Sequence, residues 1–138
     1  MTGNFEHKID AKGRLFIPSS LRDELGDVFH VTVSDEDCIN AFSSESWGSL
    51  LDQVKAMPAR EKRRMRPFFS NAFRCELDSQ GRFLLPQKLR DRAGLTKDVT
   101  VVGAGTYVQL WDSGKFKFID EVESTPENLA EVMDELNF

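Results

Sequence analysis

Cysteine and histidine are scarce in this 138-residue chain, at two residues each. Cys38 and Cys75 lie in alternating apolar segments without CxxC spacing, which excludes a disulfide scaffold and predicts reduced, partly buried thiols in a cytosolic setting. His7 and His30 add too few ligands for a zinc cluster, so no metal or cofactor is expected. Long apolar runs are missing as well. The longest, such as Val99 to Ala104, fall far short of the roughly 18 residues that cross a bilayer. Met1 to Asp10 lacks a basic region leading into an apolar one, so no secretory signal is expected. GxSxG, HExxH and phosphate-loop motifs do not occur either. One strand followed by a GxG turn, Val99 to Tyr107, invites a dinucleotide reading, but Val108 stands where the third glycine is required. A hairpin turn is expected there, and no enzyme.

Charge is nearly balanced in total and strongly segregated along the chain. The formal net charge is -5. Residues 1–54 hold four basic and ten acidic side chains, residues 55–92 hold eleven and four, and residues 112–138 hold two and eight. Screening limits surface fields to about 10 Å at moderate salt, so a polyanion would respond to the basic middle rather than to the sum.

What the chain does have is an internal repeat, visible when it is slid against itself by 68 positions. Ile9 to Gly26 reads IDAKGRLFIPSSLRDELG, and Leu77 to Gly94 reads LDSQGRFLLPQKLRDRAG. Asp10/Asp78, Gly13/Gly81, Arg14/Arg82, Pro18/Pro86, Leu21/Leu89, Arg22/Arg90, Asp23/Asp91 and Gly26/Gly94 are identical. The match extends to Phe5/Phe73 and, downstream, to Val31-Thr32-Val33 against Val99-Thr100-Val101. After one inserted residue it aligns Phe42 with Trp111 and Trp47 with Phe116.

Each copy reads as the same series of elements. Phe5, His7 and Ile9 alternate with polar residues at the period of a half-buried strand, as Phe73, Cys75 and Leu77 do. Asp-x-x-Gly supplies a turn before Leu15-Phe16-Ile17 or Phe83-Leu84-Leu85 resumes a buried strand, which predicts a hairpin with a basic tip. Pro18 or Pro86 opens a short helix, and Gly26 or Gly94 closes it. A second hairpin comes next: Val28 to Val33 with Cys38 to Phe42, and Val99 to Val102 with Thr106 to Trp111.

Helices end each half. Trp47, Leu50, Leu51, Val54 and Met57 keep helical spacing up to Pro58, and Phe116, Ile119 and Val122 form a shorter stripe. Ser124 or Thr125 caps a last, acidic helix with Leu129, Val132, Met133 and Leu136 on one face, a stripe expected to pack against its own protein, with partner docking or disorder as the alternative at a terminus. The expected layout is a first unit over 3–54, a basic linker helix over 55–70, a second unit over 71–122 and an acidic helix or tail over 123–138. The fold class is α+β: tandem β-β-α-β-β-α units with pseudo-two-fold symmetry and an interleaved barrel-like core.

A strand followed by Gly-Arg, an apolar triplet, Pro and Leu-Arg-Asp resembles the AbrB/SpoVT family of swapped-hairpin DNA-binding modules. Two copies in tandem, with Ala56-Met57-Pro58, Phe68 to Ala72 and Cys75 to Arg82, closely resemble the MraZ family over roughly residues 3–122. The resemblance implies a cytoplasmic, nucleoid-associated transcriptional regulator. It would form a ring-like homo-oligomer, an octamer, and bind repeated promoter boxes of the division and cell-wall gene cluster.

The candidate contacts to double-stranded DNA are Lys12, Gly13 and Arg14 at one tip and Gln80, Gly81 and Arg82 at the other. A two-stranded ribbon fits the roughly 12 Å wide major groove, and the glycines would let backbone approach phosphate. Gln80 in place of Lys12 makes the tips unequal, because Gln can read adenine bidentately whereas Lys offers a point charge. Asp10 and Asp78 are expected to form the turns and orient the arginines, and the alternative is that each Asp–Arg pair does no more than tie its turn. Arg60, Lys62, Arg63, Arg64 and Arg66 form an auxiliary basic patch that could also be a solvated helix face or a partner for the acidic flanks. The alternative function is a protein-interaction scaffold or antitoxin-like module in which the basic tips are structural.

Overall fold

Asp10 and Asp78 each end an extended segment with a tight turn, and both turns lead into a three-residue strand, a proline and a seven-residue helix. The structure, a computed structural model, describes residues 1–137. The first copy runs β1 (Asn4–Lys8), β2 (Arg14–Phe16), α1 (Ser19–Leu25), β3 (Val28–Val33), β4 (Ile39–Ser43) and α2 (Ser44–Lys55). The basic segment forms α3 (Ala59–Arg64) and α4 (Arg66–Ser70). The second copy repeats the order as β5 (Phe73–Glu76), β6 (Arg82–Leu84), α5 (Gln87–Ala93), β7 (Asp98–Gly103), β8 (Val108–Asp112) and α6 (Ser113–Glu123), and the chain continues into α7 (Pro126–Glu135). Where one basic helix was expected there are two, because Pro67 has no N–H for the helical bond to Arg63 and Met65 serves as the joint.

The copies trade strands. A six-stranded antiparallel sheet has the order β1-β7-β8-β4-β3-β5, so β1 of the first copy borders β7 of the second and β5 of the second borders β3 of the first. β2 and β6 pair with each other as a separate two-stranded ribbon. This corrects the expected local hairpin: β1 and β2 flank one turn but belong to different sheets. Each segment alternates correctly for a strand, yet its hydrogen-bonding partner lies in the other repeat, which a local pattern does not reveal.

The register also corrects the alignment downstream of the helices. Phe5 pairs with Val101, and Phe73 pairs with Val31. The structural equivalent of Val99-Thr100-Val101 is therefore Phe29-His30-Val31, two residues before the match read from sequence. Leu95 and Thr96 are the insertion, and Leu95 is buried beside the core. A slide of two keeps every side chain on its face, so alternation could not detect it.

One core fills the space between the sheet and the ribbon with its helices. Leu15, Ile17, Leu21 and Leu25 from the first copy meet Phe83, Leu85, Leu89 and Ala93 from the second, over Phe29, Val31, Val99 and Val101 of the sheet. The other face of the sheet carries α2, α4 and α6. There His30 stacks on Trp47 with ring centroids 4.5 Å apart, Trp47 stacks on Phe68, and Thr32 Oγ1 donates to the Phe68 carbonyl at 2.6 Å. Both cysteines are buried, and burial pushes Cys38 to about 11 and Cys75 to about 12, so they remain protonated thiols.

The last helix departs from expectation. Thr125 caps it, accepting from the Asn128 N–H at 3.3 Å, but its apolar stripe does not pack on the protein. Leu129, Val132, Met133 and Leu136 are all exposed. Helical spacing specifies an apolar face but not whether the chain's own surface has room for it. No helix among the described residues is long and apolar enough to cross a membrane.

Candidate nucleic-acid interface

The ribbon places Arg14 opposite Leu84, Leu15 opposite Phe83 and Phe16 opposite Arg82. Leu15 and Phe83 point into the core, which leaves Arg14, Phe16, Arg82 and Leu84 on the outer face, with Leu84 62% exposed. The strands are antiparallel, so the two entering turns lie at opposite ends of the short ribbon: the Leu85 N–H donates to the Gly13 carbonyl at the first turn and the Ile17 N–H to the Gly81 carbonyl at the second, both at 2.9 Å.

Each turn is built around its aspartate. Asp10 Oδ1 accepts the N–H groups of Lys12 at 3.0 Å and Arg14 at 2.9 Å, while Oδ2 accepts Arg14 Nε at 2.7 Å. Asp78 does the same with Gln80 N at 2.9 Å, Arg82 N at 3.0 Å and Arg82 Nε at 3.1 Å. Backbone donation from Arg14 to Asp10, and from Arg82 to Asp78, is the main cause that holds both carboxyl groups below their ordinary range, so both turns are anchored by carboxylates at neutral pH. Arg82 Nη1 also lies 4.0 Å from Asp10 Oδ2, linking the two turns. The arginines are thus folded back on their own turns and half-buried, whereas Lys12 and Gln80 are exposed at the tips.

Gly13 and Gly81 have φ of +82° and +77°, a backbone region that favours glycine. The expected open backbone above them is corrected: both are buried, and the space over each is filled by an arginine from the opposite copy. A Cβ on Gly13 would lie 2.7 Å from Arg90 Nη2, and one on Gly81 would lie 2.5 Å from Arg22 Cζ. Arg22 Nε donates to the Ile17 carbonyl at 2.7 Å and Arg90 Nε to the Leu85 carbonyl at 2.9 Å, which fixes both guanidiniums in place. Arg22 also lies 4.7 Å over the Phe16 ring.

Arg22 and Arg90 therefore belong to the site, although their sequence context marks them only as helix residues. The signal is present in the repeat, since they are one of its identical pairs. The structure gathers Asp10, Lys12, Gly13, Arg14, Asp78, Gln80, Gly81 and Arg82 around the ribbon. It does not bring the basic patch to them. Arg60, Lys62, Arg63, Arg64 and Arg66 lie exposed on α3 and α4, and α4 packs on the opposite face of the six-stranded sheet.

The Val99 to Tyr107 segment is a β7–β8 hairpin with Gly105 at φ +86° in its turn, and so offers no helix N-terminus to a cofactor. The chain matches the family model described as "MraZ protein, putative antitoxin-like" over residues 1–66 and 68–134. It is 39% identical over 135 residues to the transcriptional regulator MraZ of Acetivibrio thermocellus, covering 95% of this chain and 94% of that relative. The MraZ regulators of Heliobacterium modesticaldum and Alkaliphilus metalliredigens are each 40% identical, with 94% and 97% of this chain covered and 93% and 96% of theirs. The double turn, the exchanged strands and a match spanning both repeats converge on one assignment: the chain belongs to the MraZ family.

Proposed function

We propose that this protein is a transcriptional regulator, as its relatives are named, and that it binds double-stranded DNA through the β2–β6 ribbon. The observation that carries this reading is the pair of turns at the two ends of the ribbon, in which two carboxylates hold Arg14 and Arg82 while Arg22 and Arg90 brace the backbone beneath. Lys12 and Gln80 project from the tips, Arg14 and Arg82 lie behind them, and the ribbon is narrow enough for a major groove. Asp10 and Asp78 act as positioning residues, since a carboxylate close to phosphate is repelled. Gly13 and Gly81 serve by leaving room for the bracing arginines. The site is small, so useful affinity needs several copies acting together on repeated DNA boxes, which a cytoplasmic, nucleoid-associated ring, an octamer by family resemblance, would supply. The division and cell-wall gene cluster is the proposed target, and Arg60 to Arg66 add at most a diffuse field.

A salt titration tests the reading. Log affinity for upstream DNA should fall linearly with log salt, by about 0.9 per neutralised phosphate. Arg14→Ala should weaken binding more than Arg60→Ala. If Arg14 meets phosphate, its loss lowers the slope by about 0.9, and if it meets a base, it relaxes preference at one position. Wild-type affinity in a folded Arg14→Ala protein would remove the ribbon from the interface. The exposed stripe of α7 favours a second reading, a protein-interaction scaffold, for which binding to DNA should be negligible at all salt concentrations.

A further inference from the structure

An apolar surface that the proposed function leaves unused lies on α7. Leu129, Val132, Met133 and Leu136 recur at i, i+3, i+4 and i+7 and are 49%, 54%, 49% and 64% exposed, and Phe118 and Val122 of α6 are exposed as well. A ten-residue helix is marginal in water on its own, and an apolar face of this kind marks a docking surface. Its charged residues are all acidic: Glu127, Glu131, Asp134 and Glu135, with no basic residue in the helix. That charge repels DNA and an anionic bilayer alike.

The complement is carried by the same chain. α3 and the start of α4 hold Arg60, Lys62, Arg63, Arg64 and Arg66 against one acidic residue, Glu61. Two exposed apolar residues precede them in the chain, Leu51 on α2 and Met57 in the joint between α2 and α3. We infer that α7 of one copy seats on the α2–α3 surface of a second copy, with its acidic side against the α3 cations and its apolar stripe over Leu51 and Met57. The two patches are different surfaces, so the contact is head-to-tail, and repeating it closes a ring when the rotation between neighbours closes. The inference rests on the self-association proposed above and names the surface that produces it. It also gives the α3 cations a protein partner in place of a nucleic-acid one.

Charge exchange in the full-length chain tests this. Glu131→Lys, Asp134→Lys and Glu135→Lys together make α7 basic, and Lys62→Glu, Arg63→Glu and Arg64→Glu together make the α3 patch acidic. All of these side chains are exposed, so circular dichroism should be unchanged. Analytical ultracentrifugation should show each triple variant alone at the mass of a single chain, 15.7 kDa, while the unaltered protein sediments as an oligomer. Mixing the two variants in equal amounts should restore the oligomer, because each α7 then meets an α3 of opposite sign. Retention of the unaltered protein's size by either variant overturns the proposed contact and leaves the oligomer to another surface. Dissociation without recovery on mixing overturns the acid–base pairing. A monomeric unaltered protein overturns both the ring and this contact, and gives the stripe to a different protein.

Discussion

The two copies are nearly alike on one side of the sheet and different on the other. At the ribbon, each turn has the same aspartate, the same positive-φ glycine and the same bracing arginine from its neighbour. On the outer face, His30 of the first copy stacks on Trp47 of α2 and pairs in register with Arg74, while Phe68 and Phe69 of α4 close the aromatic cluster. By register the second copy has Thr100 in place of His30, bonded to Ser113 Oγ at 2.8 Å, and Trp111 near Phe116 at 6.3 Å. Nothing among the described residues folds back there as α4 does. Symmetry is kept where one copy must fit the other and relaxed where each copy packs its own helices.

The largest effect that could break this comparison is in the core. Leu15 and Phe83 are equivalent positions of unequal size, and Phe83 meets Phe29 edge-on at 5.0 Å. Phe83→Ala should cost about 3–5 kcal/mol and Leu15→Ala about 2–5, in that order, as read from urea unfolding. The reverse order would mean that size does not decide the difference between the halves. Next come the glycines. Gly13→Ala and Gly81→Ala should each destabilise by about 1–3 kcal/mol, because both strain the backbone and displace a guanidinium. Gly48→Ala on α2, where nothing lies within 4 Å, should stabilise by about 0.5–1 kcal/mol. Thermal melts would show the opposite signs.

A smaller effect sharpens the contrast between the tips. Gln80→Lys should steepen the salt dependence of DNA binding by about 0.9, and Lys12→Gln should flatten it by the same amount. Equal, unaltered slopes would mean that the tips do not reach phosphate. The smallest effect is on the outer face. Burial, with the Arg74 charge second, holds His30 below its ordinary 6.5, and its Nδ1 is buried without a hydrogen-bond partner. The unfolded chain then takes up a proton first, so the stabilising contribution of His30 is complete above pH 6.5 and lost as pH falls through the window beneath it. His30→Thr, which copies the second half, should lessen the fall in melting temperature between about pH 7 and pH 5. Some fall should remain, because burial lowers His7 as well.

The duplicated turns, the proline-opened helices and the caps are legible in the sequence because their causes are local: an Asx turn, a fixed φ, a hydroxyl acceptor. The pairing of β1 with β7 is not, since alternation reports which residues face inward but not which strand lies alongside. The two-residue slide between Phe29 and Val99 escapes for a related reason, as strand periodicity is blind to even shifts. Gly13 and Gly81 stand out as special positions, but the group that fills the space above each comes from a helix in the other copy. The stripe of α7 is plain from its spacing and its exposure is not, because exposure is set by the shape of the rest of the molecule.

The exchange of β1 and β5 between halves has a consequence for synthesis. Phe5 emerges from the ribosome long before Val101, its partner in the sheet. The first copy must therefore wait with β1 unpaired and with the edge of β3 open until β5 appears, and the sheet is complete only when β7 and β8 have been made. The native sheet therefore closes only after the second half has been made, and the outer strand of each half has no native partner within its own half.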